Sequence, residues 1–224
     1  MDRCEAPEGP AIRANYSGSM VLDGVEIQDS HASSQCGGIS IYGRGRATTT
    51  LATGSTLSFQ NTRSEGRGAC MCLFMDPSAS FMALYQTTHS HLLSATSCVA
   101  QKEGIVYAEG GLVILSNVHA LSNQALSGGF LMAKELVMLK INSAMIQNVT
   151  AIGDGSAFAV YDSTEVDMSG VSVSSCHAGG SGTIYLEGGE GAYLADLSMK
   201  LNSAGEYGVG IIFYRMKEWE LTRK

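Results

Sequence analysis

The chain has almost no proline, a single tryptophan and no surplus of basic charge, and each shortage removes a class of protein. Three prolines against 27 glycines exclude a collagen period and a proline-rich linker, and leave tight turns between short strands as the use for so much glycine. Basic residues number 14 against 21 acidic ones, a formal net charge of −7, with no basic run to override it, so nucleic acid is not an expected partner. The longest apolar stretches, residues 126–133 and 209–213, fall well short of the roughly 20 residues of a spanning helix, and no transmembrane segment is predicted. Residues 1–7 show no basic region followed by an apolar run, so no signal peptide is read there. Either the chain is not exported or it is part of a longer one, and the length usual for repeat arrays favours the second. With 45% hydrophobic and 16% charged residues, the composition is that of one folded domain.

What is present is a repeat. Five segments place an alanine four residues before a glycine, at Ala100, Ala125, Ala151, Ala178 and Ala204 before Gly104, Gly129, Gly155, Gly182 and Gly208, with alanine spacings of 25, 26, 27 and 26. Two earlier segments join with allowances, Ser64 before Gly68 and Ala32 before Gly38. Their longer spacings, 32 and 36, predict insertions near residues 44–53 and 76–82. Self-similarity at a fixed period of this size signals a solenoid.

Seven residues upstream of the alanine column stands an apolar column, Val25, Leu57, Leu93, Val118, Ala144, Val171 and Leu197. Two residues further on is another, Ile27, Phe59, Ala95, Ala120, Ile146, Val173 and Met199. The positions between them are polar in all but one segment, which is the period of 2 of a half-buried strand. A second strand follows the glycine, with inward residues two and four beyond it: Cys70/Cys72, Val106/Ala108, Leu131/Ala133, Ala157/Ala159 and Ile184/Leu186. A third precedes the first, with inward pairs Met20/Leu22, Val113/Leu115, Leu139/Ile141, Val166/Met168 and Ala192/Leu194. Three short strands per coil predict an all-β, single-stranded parallel β-helix of about seven coils.

Between the first and second strands, Asp29, Asn61, Ser97, Ser122, Asn148, Ser175 and Leu201 form a column almost wholly of small polar residues that bond their own backbone in turns, and it marks a corner. The β-helix is read over residues 18–214, with residues 1–17 and 215–224 as candidate caps and Trp219 able to pack down. Seven coils would make a rod about 34 Å long. Its open strand edges invite end-to-end or lateral self-association unless covered.

Three phrases carry a family resemblance: residues 123–131 (Asn-Gln-Ala-Leu-Ser-Gly-Gly-Phe-Leu), 175–185 (Ser-Cys-His-Ala-Gly-Gly-Ser-Gly-Thr-Ile-Tyr) and 36–42 (Cys-Gly-Gly-Ile-Ser-Ile-Tyr). They resemble the repeats of polymorphic outer-membrane proteins and related pectin-lyase-like β-helices, in which an Asn-x-Ala element precedes Gly-Gly and an apolar pair. Residues 57–62 also look like the units of long β-helix proteins of microbial eukaryotes. The resemblance implies surface display, adhesion or wall-associated roles at an extracellular or cell-surface location. These motifs are architectural, supplying corners and inward residues, so they speak to fold rather than activity.

Catalysis on this fold needs clustered carboxylates, either to hold calcium or to act in pairs about a glycosidic bond. Asp154, Asp162, Glu165 and Asp167 are the densest acids, and they read as a solvated surface. Asn61-Thr62-Arg63 has arginine where an Asn-Thr-Asp element needs its acid. His31 and His177 share a column several coils apart, while His89 and His91 alternate without a third ligand, so neither metal nor cofactor is predicted. Cys98 and Cys176 share a column about 14 Å apart, beyond disulfide reach. Cys70 and Cys72 read as small core residues, and Cys36 could approach Cys70 from the neighbouring coil. Asn15-Tyr16-Ser17 and Asn148-Val149-Thr150 match the glycosylation pattern, which matters only in a secreted chain.

The candidate site is the column three past the glycine: Ile41, Met71, Tyr107, Met132, Phe158, Tyr185 and Ile211. If its neighbours point inward, this apolar ladder points outward, where it could bind a carbohydrate chain or a protein. The resulting expectation is a non-catalytic structural or adhesive module, part of a longer surface or extracellular protein, that binds through a lateral face. The alternative is a polysaccharide lyase or glycoside hydrolase of the pectin-lyase-like fold.

Overall fold

In the computed structural model the chain winds as a parallel β-solenoid of about seven turns, with no helix among the described residues. Residues 5–8, 11–52, 55–83, 93–206 and 208–222 are described. Three sheets run along it. Among the described residues sheet A has eight strands, from Glu5–Glu8 and His31–Gln35 to His177–Ala178 and Ser203–Ala204, most of them two residues long. Sheet B also has eight, among them Ile12–Tyr16, Ile39–Gly43, Met71–Met75, Val106–Glu109, Leu131–Lys134, Phe158–Tyr161, Ile184–Glu187 and Ile211–Tyr214. Sheet C has twelve.

The first and third strands expected from the sequence are two halves of sheet C. In three of the regular coils they fuse into ten-residue strands, Leu112–Leu121, Met138–Gln147 and Glu165–Ser174. Each fused strand bends at a left-handed residue, Asn117, Ser143 or Gly170, with φ of 52°, 60° and 64°. The sheets also run through both segments read as candidate caps. Ile12 pairs with Ile39 at one end, and Trp219 with Ala192 at the other.

Like residues stack on like because parallel pairing is in register. Ala125, Ala151, Ala178 and Ala204 are successive partners in sheet A. The first apolar column runs Val25, Leu57, Leu93, Val118, Ala144 and Val171 along sheet C. Third-strand columns pass unbroken through the two long coils as well, since Phe81 pairs with both Thr49 and Val113. These columns meet in one core, where each fully buried Val, Leu, Ile or Phe contributes roughly 1.5–3 kcal/mol.

The corner column has one backbone conformation. Asp29, Asn61, Ser97, Ser122, Asn148, Ser175 and Leu201 all have φ between 50° and 55°. Asn and Asp enter that region most readily and the small Ser crowds it little, whereas Leu201, 88% exposed, pays a steric penalty there. Just inside the corner, Asn123 bridges coils: its Nδ2 donates to the Ala95 carbonyl at 3.0 Å and its Oδ1 accepts from Cys98 N at 2.9 Å. Asn202 repeats the device with Val173 and Cys176.

Extra length in the two long coils falls partly at the B-to-C corner. Residues 44–47 and 76–79 make turns closed by Ala47 N to Arg44 O and by Ala79 N to Asp76 O, where the next coil passes through Gly110 and Gly111. Residues 48–51 and 80–82, expected within insertions, belong to the strands Thr48–Leu51 and Ser80–Ala83. The remaining length of that coil, residues 84–92, lies outside the described residues, and with it His89 and His91.

Candidate functional site

Sheet B decides which side chains face out, and its register differs from the one the glycines suggest. Met71 pairs with Val106, Leu131 with Phe158, and Ile184 with Ile211, so the strand begins three residues after Gly68, Gly155 and Gly208 but two after Gly104, Gly129 and Gly182. A one-residue slip exchanges the two faces of a strand. The inward pairs are therefore Ile39/Ile41, Met71/Leu73, Val106/Ala108, Leu131/Ala133, Phe158/Val160, Ile184/Leu186 and Ile211/Phe213, all in or against the core.

The expected outward ladder is split by this slip. Ile41, Met71 and Phe158 point inward and are fully buried, and Ile211 points inward at the last described coil. Tyr107, Met132 and Tyr185 do point outward. Tyr107 and Met132 are nevertheless only 1% and 2% exposed, and the cause is the A-to-B corner, which curls over the start of sheet B. Glycine makes that approach possible: a Cβ on Gly68 would lie 2.3 Å from Cys72 Sγ, and one on Gly104 would lie 2.9 Å from Met132 Cβ. Beneath these corners Cys36, Cys72, Tyr107, Met132 and Ala159 form a second, smaller core on the outer face.

A disulfide closes that small core, joining Cys36 and Cys72 on adjacent coils with Cα atoms 5.5 Å apart. The pairing differs from the expected approach of Cys36 to Cys70. Because Met71 points inward, Cys72 faces out toward Cys36, while Cys70 is a free thiol in the main core 3.3 Å from Thr62 Oγ1. Burial pushes the Cys70 and Cys176 thiols up, which keeps them neutral.

The residues that sheet B presents to its surroundings are two positions further on: Tyr42, Phe74, Glu109, Lys134, Tyr161, Glu187 and Tyr214 in register. Tyr42 and Phe74 stack with ring centres 4.9 Å apart and planes 13° apart, and Phe74 leans on Tyr107 at 5.7 Å. Tyr161 meets Tyr185 at 5.7 Å. Cations lie over several of these rings, Arg13 over Tyr42 at 5.3 Å and Arg67 over Tyr107 at 4.4 Å. Arg13 lies over the Tyr42 ring and Phe74 stacks on it, which leaves the ring edge as the part of Tyr42 open to a partner.

Charge on this strip is internally matched. Glu109 accepts from Tyr107 Oη at 2.6 Å and lies 3.5 Å from Arg67, while Glu103 pairs with Lys134 at 2.6 Å and with Arg67 at 3.8 Å. Tyr185 Oη donates to Glu187 at 3.0 Å. Burial, assisted by the carboxylates Asp154, Glu187 and Glu103, pushes Tyr161 up to about 12. Burial and the bonded Glu109 push Tyr107 up further, and burial with Glu187 does the same for Tyr185. These phenols remain hydrogen-bond donors throughout the neutral range.

At the B-to-C end of the strip a cleft of about 330 Å³ opens. Tyr42 and Phe74 wall it on the sheet side, the two corner turns supply Arg44, Asp76 and Pro77, and Glu109 and Glu135 close the far side. Asp76 is anchored by accepting from Gly45 N at 2.7 Å. The insertions thus stand beside the outward aromatic residues. Tyr42, Phe74 and Tyr161 were not among the expected site residues. Alternation counted from the first apolar residue after the glycine finds Tyr42 and Phe74, as in Ile39-Ser40-Ile41-Tyr42, but not Tyr161, which the same count from Ala157 would turn inward.

Elsewhere, two of the four expected surface acids are held by partners: Asp154 Oδ1 accepts from Ser181 N at 2.7 Å, and Asp167 is bonded to Lys140. His31 lies 3.9 Å from Glu65, and His177 shares a hydrogen bond with Ser203. Among the described residues no group of three or more His, Cys, Asp or Glu could hold a metal ion, and no helix is long and apolar enough to cross a membrane. Comparison with known proteins finds no matching family model, no matching curated protein and no matching solved structure. The structure shows a parallel β-solenoid, and none of these comparisons supports the resemblance to polymorphic outer-membrane proteins or pectin-lyase-like β-helices.

Proposed function

We propose that this chain is a non-catalytic β-solenoid module, structural or adhesive, that meets a protein or carbohydrate partner through the outer face of sheet B. The observation carrying this reading is the strip from Tyr42 to Tyr214, whose aromatic edges and paired charges stand in one register beside a cleft built by the only two elongated B-to-C corners among the described residues. From Tyr42 to Glu187 every residue of the strip sits on a strand paired on both sides, and the Tyr214 strand is paired with Ile184–Glu187, so the face is pre-ordered and loses little entropy on binding. Its carboxylates Glu103 and Glu109 are engaged by Arg67, Lys134 and Tyr107, which suits a recognition surface better than a general acid awaiting substrate. The Cys36–Cys72 disulfide supports an extracellular or cell-surface setting, since such bonds persist in oxidising compartments.

Surface plasmon resonance against a panel of cell-wall polysaccharides and matrix proteins tests the reading. Saturable binding to at least one member, lost in a Tyr42→Ser/Phe74→Ser variant that keeps its circular dichroism spectrum, is the expected result. Binding that survives the double substitution would remove this face from the account. Release of new reducing ends or unsaturated sugars from any polysaccharide would replace the reading with the lyase or hydrolase alternative.

A further inference from the structure

Asparagine is used in two distinct ways in this fold. Asn61 donates to Asp29, Asn142 accepts from Ser169, and Asn123 and Asn202 bridge coils from inside the corner. All four lie outside the Asn-x-Ser/Thr pattern, being followed by Thr-Arg, Ser-Ala, Gln-Ala and Ser-Ala. The two asparagines within the pattern, Asn15 and Asn148, are both exposed, and among the described residues no hydrogen bond holds the Asn148 side chain. Asn15 stands in the outer column of sheet B as the register partner of Tyr42, where a bulky group would lie across the strip. Asn148 stands at the corner between sheets C and A, with φ of 52°, on a different side of the coil. Its neighbours in the corner column are Ser122 and Ser175, both small and exposed, so nothing crowds a large substituent. Its backbone N–H is already satisfied by the Ser174 carbonyl at 3.1 Å, so the Nδ2 amide is not needed to close the corner.

We infer that Asn148 is an N-glycosylation site, carrying an oligosaccharide that projects from the corner away from the strip. The inference rests on the extracellular part of the proposed function, which the Cys36–Cys72 disulfide supports independently of the sequence pattern. In the reaction, Nδ2 of Asn148 attacks the anomeric carbon of an oligosaccharide pyrophosphate donor. A C–N bond forms, the anomeric C–O bond to phosphate breaks, the pyrophosphate carrier leaves, and the amide proton passes to a base of the transferring enzyme. Thr150, two residues on, completes the acceptor pattern and is half-buried in the strand Thr150–Ala151.

The test uses the full chain recovered from the cells that make it, alkylated without reduction and then treated with peptide-N-glycosidase in ¹⁸O-water, which marks every previously glycosylated asparagine as ¹⁸O-labelled aspartate. The expected result is label at 148, together with a gel shift that disappears both in Asn148→Gln and in Thr150→Ala, the second of which leaves the acceptor amide in place. Unlabelled Asn148 in protein whose Cys36–Cys72 bond is formed overturns the inference and leaves the surface reading standing. Label confined to Asn15 overturns it equally. Unlabelled Asn148 with both cysteines alkylated overturns the inference and the extracellular setting together.

Discussion

Phe158 was expected to face a ligand and instead faces the core, so its truncation measures the register of sheet B. The side chain is fully buried and makes an edge-on contact with Phe130 at 6.1 Å. Phe158→Ala removes roughly 2–3 kcal/mol of transfer free energy and leaves a cavity of about 100 Å³, worth about 2 kcal/mol more at roughly 24 cal/mol per Å³, so the total should be about 4–5 kcal/mol. Tyr161→Ala, three residues on and partly exposed, should cost only about 1 kcal/mol. Because stacked coils need not unfold in one step, urea unfolding is best read beside amide hydrogen exchange at Leu131 and Ile184, the in-register partners of Phe158. Exchange there should quicken at least a hundredfold in Phe158→Ala, the rate change of about 3 kcal/mol. If Phe158→Ala costs less than about 1 kcal/mol and Tyr161→Ala costs more, the strand faces the other way and the reasoning fails.

Four further outcomes follow from the same geometry. Leu201→Asn relieves a left-handed leucine and should slow amide exchange at residues 200–203 by about fivefold, near 1 kcal/mol; unchanged exchange would mean that the corner carries no strain. Gly155→Ala, with φ of 65° and a Cβ position 2.2 Å from the Phe158 carbonyl oxygen, should lower stability by about 2 kcal/mol or more in a urea titration, and a neutral result would contradict the close corner packing. Loss of the Cys36–Cys72 bond, which closes a sequence separation of 36, should cost about 3–4 kcal/mol by chain entropy when Cys36→Ser/Cys72→Ser is compared with the oxidised protein. Spectrophotometric titration should find Tyr107, Tyr161 and Tyr185 un-ionised at pH 11 in the folded protein. Their folded pKa values are raised, so the stability they add is complete below the unfolded value of about 10 and is lost as pH climbs through the folded ones, about 12 for Tyr161.

Much of the solenoid was legible because stacking makes each position repeat its physics. The left-handed corner was readable from Asp29, Asn61, Ser122 and Asn148, residues that tolerate that backbone region. The halves of sheet C were readable from alternation, as in Val118-His119-Ala120. The outer face of sheet B was not readable from the glycine column, because the corner holds one residue more after Gly68 and Gly155 than after Gly104 and Gly129. A corner absorbs such a residue at little cost, while a strand inverts on it. Nor does local sequence say that Tyr107 and Met132 are buried on an outer face, since what covers them is glycine backbone from the same and neighbouring coils. The cleft was partly foreshadowed, since the spacing of 36 between Ser64 and Ala100 located extra chain, but the aromatic residues beside it depended on the register.

The most direct check of that register is chemical. Cyanogen bromide cuts after Met20, Met71 and Met75, placing Cys36 and Cys70 in fragment 21–71 and Cys72 alone in fragment 72–75. Without reductant, mass spectrometry of the oxidised protein should find fragment 72–75 joined to fragment 21–71 by one disulfide, as it must be if Cys72 faces outward with Phe74 and Tyr42. Release of fragment 72–75 on its own, with the bond inside fragment 21–71 between Cys36 and Cys70, would place Cys72 in the core and contradict the face on which the proposed function rests.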